Sequence, residues 1–236
     1  MRVLILGGTR EARELAAALL ARGDAPITSL AGATPEPQRP PGETTVGPLA
    51  TPEDLARLAR ATAADAVVDA THPFADEISA LAADAPVPVL RLHRPPWQER
   101  PGDDWRRVPT LRAAAEQIPA GARVLLTTGR RGLAAFAPVG HAWFLIRTIT
   151  PPGPPLPPEH EILLDRGPYT LQSERTLLDR ERIDLIVTKD SGGEATEAKL
   201  QAARERHLPV IVVDRPAPPQ GVPTVATVPE ALARLK

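Results

Sequence analysis

Residues 1–22 read MRVLILGGTREARELAAALLAR, and the order of these residues decides the fold. Val3–Leu6 is a short, wholly apolar run, the pattern of a strand buried on both faces. Gly7 and Gly8 follow it, and Glu11–Ala21 then carries Leu15, Ala16, Leu19 and Leu20 at helical spacing. A strand that feeds two glycines and a helix points backbone N–H groups and the positive end of the helix dipole at an anion, and glycine lets that anion approach the backbone closely. Thr9 either caps the helix or donates to phosphate. The full G-x-G-x-x-G spacing is absent, so the loop is a variant of the dinucleotide fingerprint, and the competing reading is a plain tight turn with an N-cap. On the phosphate reading, Gly7, Gly8, Thr9, Glu11 and Ala12 bind the cofactor.

The segments that follow repeat this grammar. Pro26–Ala31 reads as a second strand, and Thr34–Pro48, rich in proline and polar residues, as a loop. Thr51-Pro52-Glu53-Asp54 starts a helix, with Thr51 as N-cap, proline at the first helical position and acids in the first turn. Ala66–Ala70 is a third strand, Phe74–Ala83 a helix and Val87–Leu92 a fourth strand. Strands alternating with helices predict a parallel sheet with helices on its faces. The segment HRPPWQERPGDD, His93–Asp104, breaks the rhythm and marks a domain junction. Beyond it come a helix at Leu111–Gln117, a strand at Arg123–Thr127, a helical turn after Gly132 and a strand at Ala142–Thr148. After the proline-rich loop Pro151–Pro158 come a strand at Glu161–Leu164, a helix at Thr170–Arg182, a strand at Asp184–Thr188, a helix at Glu194–Arg206, a strand at Pro209–Val213 and a helix at Pro229–Leu235. The expected fold class is α/β: two small Rossmann-like, doubly wound parallel-sheet domains, residues 1–95 and 105–236. Each has too few strands for a complete six-stranded dinucleotide fold, which places the ligand in a cleft between them.

Composition narrows the function. The chain has 236 residues, 42% of them apolar, enough for a sizeable core. A net charge of −1 argues against a nucleic-acid partner. The absence of cysteine excludes disulfides, thiolate catalysis and cysteine-based metal sites. The five histidines, His72, His93, His141, His160 and His207, have no metal-ligand spacing. The apolar runs fall short of the roughly 18 residues a membrane span needs. Arg10, Glu11, Arg13 and Glu14 interrupt any signal-peptide pattern, so a cytoplasmic protein with no membrane partner is expected. Among 28 basic residues only Lys189, Lys199 and Lys236 are lysine. Such a bias reflects either genome composition or a demand for fork-shaped recognition of carboxylate and phosphate.

Four further stretches carry candidate chemistry. The end of the second strand, Ser29-Leu30-Ala31-Gly32-Ala33-Thr34, has no acid before Glu36 to meet a ribose 2′-hydroxyl, so Ser29, Gly32, Thr34 and Arg39 lean towards the 2′-phosphate of NADP. Thr71, His72 and Pro73 follow the third strand, at the edge where ligands of open parallel sheets bind; His72 is either satisfied by backbone or touches ligand. Thr127-Thr128-Gly129-Arg130-Arg131-Gly132 holds the same place in the second half, and Arg130 with Arg131 reads as a carboxylate clamp or a solvated turn. Thr188-Lys189-Asp190-Ser191-Gly192-Gly193 puts Lys189 beside two glycines whose N–H groups suit an anion; otherwise Ser191 caps a helix and Lys189 is solvated. Arg147, Arg166 and Tyr169 are weaker candidates. No Ser-His-Asp order can be assigned, and Ser173 rather than lysine stands four residues after Tyr169.

Together, ILGGTREAREL (5–15), DATHPFA (69–75), LLTTGRRGL (125–133), ILLDRGPYT (162–170) and VTKDSGGEATEAKLQAARERHLPVIVVDRP (187–216) resemble the precorrin-6A reductase family, including its cobalt-precorrin-6A counterpart. The resemblance implies an oxidoreductase of cobalamin biosynthesis that reduces the C18=C19 bond of the macrocycle to give precorrin-6B. It implies NADPH as hydride donor, with NADH the alternative in the cobalt branch. A basic residue is expected near position 33 to meet the 2′-phosphate; this chain has Ala33, which leaves the task to Arg39. A tetrapyrrole with many carboxylate arms needs distributed arginines rather than a basic surplus, and Arg91, Arg94, Arg130, Arg131 and Arg147 are candidates, joined on the substrate side by Lys189, Ser191, Gly192 and Gly193. Lys189, Asp190 and His72 are the candidate proton donors. A reductase of another polycarboxylate and a non-catalytic dinucleotide-binding module are the rival readings, and the expected state is monomer or homodimer.

Overall fold

Short apolar runs without alternation form the central strands of two parallel sheets. The computed structural model describes residues 1–32 and 39–236 and resolves two units, Met1–Pro95 with Pro216–Lys236, and Pro96–Arg215.

The first unit runs β1 (Arg2–Leu6), α1 (Arg10–Ala21), β2 (Ala25–Leu30), β3 (Glu43–Val46), α2 (Pro52–Ala61), β4 (Ala66–Asp69), α3 (Asp76–Ala83) and β5 (Val89–Leu92). The strands pair in parallel in the order β3-β2-β1-β4-β5, and the sixth place beside β5 is taken by a strand from the end of the chain, Thr224–Val225, followed by a helix at Val228–Arg234. This is the 3-2-1-4-5-6 order of dinucleotide-binding sheets. Alternate residues of β1 face opposite layers. Val3 and Ile5 pack with Leu15 and Leu19 of α1 and with Ala231 and Leu235, while Leu4 and Leu6 pack with Leu55 of α2 and Ala82 of α3. Thr51 and Asp54 form a reciprocal capping box that starts α2 at Pro52.

The second unit runs β6 (Trp105–Val108), α4 (Leu111–Glu116), β7 (Arg123–Thr127), a 3-10 turn at Leu133–Phe136, β8 (Trp143–Thr148), β9 (His160–Leu164), α5 (Leu171–Arg180), β10 (Leu185–Lys189), a 3-10 turn at Glu194–Thr196, α6 (Ala198–Glu205) and β11 (Val210–Val213). The remaining elements of the first unit are therefore β12 (Thr224–Val225) and α7 (Val228–Arg234). The second sheet, also parallel, has the order β9-β8-β7-β10-β11-β6. It is the same 3-2-1-4-5-6 arrangement with β7 in first place and β6, earliest in sequence, in sixth place.

The expected α/β class with two Rossmann-like sheets holds, but several details change. Each sheet has six strands, not too few. The strands missed in the sequence are β3, β6 and β12, short edge strands that offer no continuous apolar run. The C-terminal stretch expected in the second domain lies in the first unit, because β12 pairs with β5 and α7 packs on α1. The helix expected at Glu194–Arg206 is divided into a 3-10 turn and α6. Thr34 and Ala33 lie outside the described residues. Among the described residues no helix is long and apolar enough to cross a membrane.

Val225, Ala231 and Leu235 complete the first unit's core. Leu235→Ala is expected to cost about 2 kcal/mol, the low end for a buried leucine because it ends a helix. Ending the chain at Arg215 is expected to abolish the first unit's cooperative urea transition; an unchanged transition would show that the sheet is complete without β12.

Candidate functional site

In the first unit β1 lies between β2 and β4, so the strand order reverses at its carboxyl end, the place where open parallel sheets bind ligands. The loop leaving β1 there demands its glycines. Gly7 N–H donates to the Ser29 carbonyl at 2.9 Å, and a Cβ on Gly7 would lie 2.5 Å from Cγ2 of Thr28. Gly8 has φ +112°, and nothing stands within 4 Å of where its Cβ would be. An open cradle therefore sits over the start of α1, free of side chain. Thr9 resolves its own two readings. Its Oγ1 accepts from the Ala12 N–H at 3.1 Å and donates to the Ala70 carbonyl at 2.7 Å. The hydroxyl proton thus belongs to the fold, and an anion is left to the uncapped N–H groups of the first helical turn. Ala12 is buried and its N–H is taken by the cap, so the cofactor contact expected of it is replaced by a capping role. Glu11 accepts from Nη1 of Arg94 at 2.8 Å, which neutralises an acid at the helix start and engages an arginine expected to hold a substrate arm.

The loop after β4 is anchored by Asp69. Its Oδ1 accepts from the N–H of Thr71 at 3.1 Å and from the Thr71 hydroxyl at 2.6 Å, and its Oδ2 accepts from the Ser79 hydroxyl at 2.6 Å. His72 is exposed, and its Nδ1 accepts from the Phe74 N–H at 3.2 Å, an arrangement that assigns the ring proton to Nε2. Pro73 is buried. Arg91, another expected arm-binder, is buried 3.6 Å from Asp69 with Nη2 3.4 Å from Nε2 of His93. Burial pushes its guanidinium below the ordinary range, opposed by the Asp69 charge. It is a core residue with no free face for substrate. Ser29 is buried in β2, Gly32 takes φ +70° just after it, and Arg39 is exposed.

The second unit repeats the reversal at β7, between β8 and β10. Arg130 and Arg131 are exposed on the loop after β7, flanked by Gly129 and Gly132 in left-handed conformations. The element that follows is a four-residue 3-10 turn, so positive charge here comes from side chains rather than a helix dipole. Lys189 Nζ donates to the Arg131 carbonyl at 3.4 Å and joins the loops after β7 and β10. Gly192 and Gly193 take φ +64° and +76°. Ser191 donates its N–H to the Lys189 carbonyl at 2.7 Å, and Gly193, not Ser191, stands at the start of the following turn.

Two expected residues have other occupations. Asp190 is 1% exposed; its Oδ1 accepts from the Trp97 N–H at 3.0 Å and its Oδ2 from both terminal nitrogens of Arg107 at 3.1 Å. A carboxylate held by three donors, two of them on one guanidinium, is an acceptor, so the proton-donor role expected of Asp190 is replaced by bracing of its loop, which the Trp97 indole N–H completes by donating to the Gly193 carbonyl at 3.0 Å. Arg147 is buried, forked onto Glu174 at 2.5 and 3.1 Å, with its guanidinium 4.0 Å over the Tyr169 ring. The two charges share the wall of a cavity of about 490 Å³ and cancel there, so Arg147 is not a spare clamp for a carboxylate arm. Lys199 was not singled out by sequence. It is 3% exposed, its ammonium lies 4.5 Å over the Trp97 ring, and it donates to the Thr196 carbonyl at 2.5 Å. Burial, with help from the Arg147 charge, pushes its pKa down to about 7.

Comparison with known proteins identifies the family. The sequence profile of the family described as "Precorrin-6x reductase CbiJ/CobK" matches residues 2–236. A precorrin-6A reductase of Rhodococcus erythropolis is 46% identical, covering 98% of this chain and 96% of that one. A cobalt-precorrin-6A reductase of Priestia megaterium is 31% identical over 91% of this chain and 90% of that one. A solved structure described as CobK precorrin-6A reductase superposes with a TM-score of 0.94 at 39% identity, covering 100% of this chain and 96% of that one. The chain belongs to the precorrin-6x reductase family.

Two stability effects follow from the buried charges. Glu174→Ala leaves the Arg147 guanidinium buried without a countercharge and is expected to cost about 3–5 kcal/mol in urea unfolding; a loss below about 1 kcal/mol would show that Arg147 escapes to solvent. Lys199 sheds its proton near pH 7 when folded, whereas the unfolded chain keeps it to about 10.5. Between those values the unfolded state binds more protons, so stability rises with pH. The stability of wild type relative to Lys199→Met is expected to rise across that window with a slope approaching about 1.4 kcal/mol per pH unit, and a flat difference contradicts it.

Proposed function

We propose, on the premise of that family membership, that the chain reduces the C18=C19 bond of precorrin-6A, or of its cobalt form, to give precorrin-6B in cobalamin biosynthesis, using NADPH in the cytoplasm as a monomer or homodimer. The observation that carries the cofactor assignment is the Gly7-Gly8 cradle of the first unit, open above Gly8 and tied by Thr9 to the loop after β4. A nicotinamide cofactor supplies the hydride. The chain's own work is then binding and orientation. The first-turn N–H groups of α1 hold the pyrophosphate, Ser29, Gly32 and Arg39 flank the adenosine end, and Thr71 with His72 meets the nicotinamide side. The end of β2 offers no acid to a ribose hydroxyl, which favours NADPH over NADH.

The second unit takes the tetrapyrrole by its carboxylate arms, through Arg130, Arg131 and Lys189 and through the N–H groups at Ser191–Gly193. The reduction also adds a proton. With Asp190 engaged by Arg107 and Trp97, Lys189 and His72 remain the chain's candidates for that transfer, His72 only as an imidazolium, a form in which Nδ1 no longer accepts from the Phe74 N–H.

Incubation of the purified protein with precorrin-6A and NADPH is expected to consume the cofactor band near about 340 nm. No consumption from a substrate batch that another family member reduces contradicts the assignment, and binding of NADP⁺ without turnover of either macrocycle would favour the binding-module reading. Gly8→Val fills the cradle and forces a branched residue to positive φ. NADP⁺ affinity by calorimetry is expected to fall at least about tenfold, the weight of one or more charge-assisted hydrogen bonds, with a melting temperature lowered by the backbone strain. Unchanged affinity would make the loop a turn and nothing more.

A further inference from the structure

The carboxyl end of β4 carries an ion pair that stability does not explain. Asp69 and Arg91 face one another in register on β4 and β5 and are 2% and 4% exposed. Their contact is loose, since Nε of Arg91 lies 3.6 Å from Oδ2 and has no hydrogen-bond partner. Well-packed apolar residues replace even a well-formed buried ion pair at little cost, and an unsatisfied buried N–H adds a penalty. An apolar pair at these two positions would therefore serve the core at least as well.

What the carboxylate does instead is hold the next loop. Both bonds to Oδ1 come from Thr71, and the Ser79 bond to Oδ2 fixes the carboxylate from α3, behind the loop. Arg91 supplies the countercharge from the neighbouring strand. On the other side, Thr9 pins the Ala70 carbonyl, so residues 70 and 71 are clamped from β1 and from Asp69 at once. The turn that presents His72 starts from this clamp, its Ala75 N–H donating back to the His72 carbonyl at 2.8 Å.

We propose that Asp69 is a positioning residue of the dinucleotide site: through Thr71 it sets the loop that carries His72, and Arg91 and Ser79 exist to hold the carboxylate in that task. The proposal rests on the reading of the first unit as the cofactor site. Asp69 itself is covered and touches neither cofactor nor substrate.

A double-mutant cycle on the full chain separates positioning from scaffolding. NADP⁺ affinity is read by calorimetry and KM for NADPH against kcat by turnover, for Asp69→Asn, Thr71→Val and the two combined. Each single change is expected to weaken NADP⁺ binding about tenfold, the weight of one hydrogen bond to a charged group. The pair together is expected to lose about tenfold rather than a hundredfold, because Asp69 acts through Thr71. Thr71→Ser, which keeps the hydroxyl, restores wild-type affinity, and it keeps the test decisive if Asp69→Asn fails to fold. Affinity within twofold of wild type in Thr71→Val, or additive losses in the pair, overturns the proposal. Failure of the wild-type chain to bind either NADP⁺ or NAD⁺ overturns it differently, by removing the cofactor reading on which it stands.

Discussion

The Thr9 hydroxyl is the joint on which the first unit's site depends. A hydroxyl has one proton to give, and here it goes to the Ala70 carbonyl while the oxygen caps α1 through the Ala12 N–H. One side chain therefore sets the start of a helix and the spacing of the loops after β1 and β4, the two strands that flank the reversal of strand order. The second unit joins its equivalent loops by a different bond, from the exposed Lys189 ammonium to the Arg131 carbonyl. The contrast suits two kinds of ligand. On the proposed assignment, backbone N–H groups held by a buried neutral bond match a pyrophosphate of fixed shape, whereas long cationic side chains match a ligand whose carboxylate arms differ in position.

Arginine usage has a physical account of the same kind. Most of the arginines that looked like substrate clamps answer the chain's own acids: Arg91 faces Asp69, Arg94 Glu11 and Arg147 Glu174. Exposed pairs such as Arg175 with Glu205 add little stability, but the buried ones fix geometry, because stranding either partner is costly. In a chain of net charge −1, two arginines stand exposed side by side at Arg130 and Arg131, on the loop after β7, and again at Arg106 and Arg107 on β6, where Arg107 is paired with Asp190 and Asp214.

The sequence was most legible where local chemistry determines the outcome. The capping box of Thr51 and Asp54 placed the start of α2 at Pro52, and the apolar runs of β1, β4, β7, β10 and β11 marked the sheet centres. Three edge strands were not legible, since ETTV, WRRV and TV carry no buried stripe and their pairing is decided by distant partners, whereas the edge strand β9 was read from its apolar run Ile162–Leu164. β12 joins β5 across the whole second unit, which no local pattern reports. The site divides likewise. Its glycines were readable because positive φ and close approach demand that residue, as Gly7 against Thr28 shows. The engagement of Asp190 was not, because Arg107 lies 83 residues away, and burial of Lys199 shows only once Trp97 covers it.

Hydrogen exchange of the intact chain with and without NADP⁺ tests the central claim, that the dinucleotide sits at the reversal between β1 and β4. The account predicts new protection at residues 7–11 and 70–75, with the strands of the second sheet unchanged. Protection confined to residues 127–132 and 189–193 would place the cofactor on the second unit and contradict it.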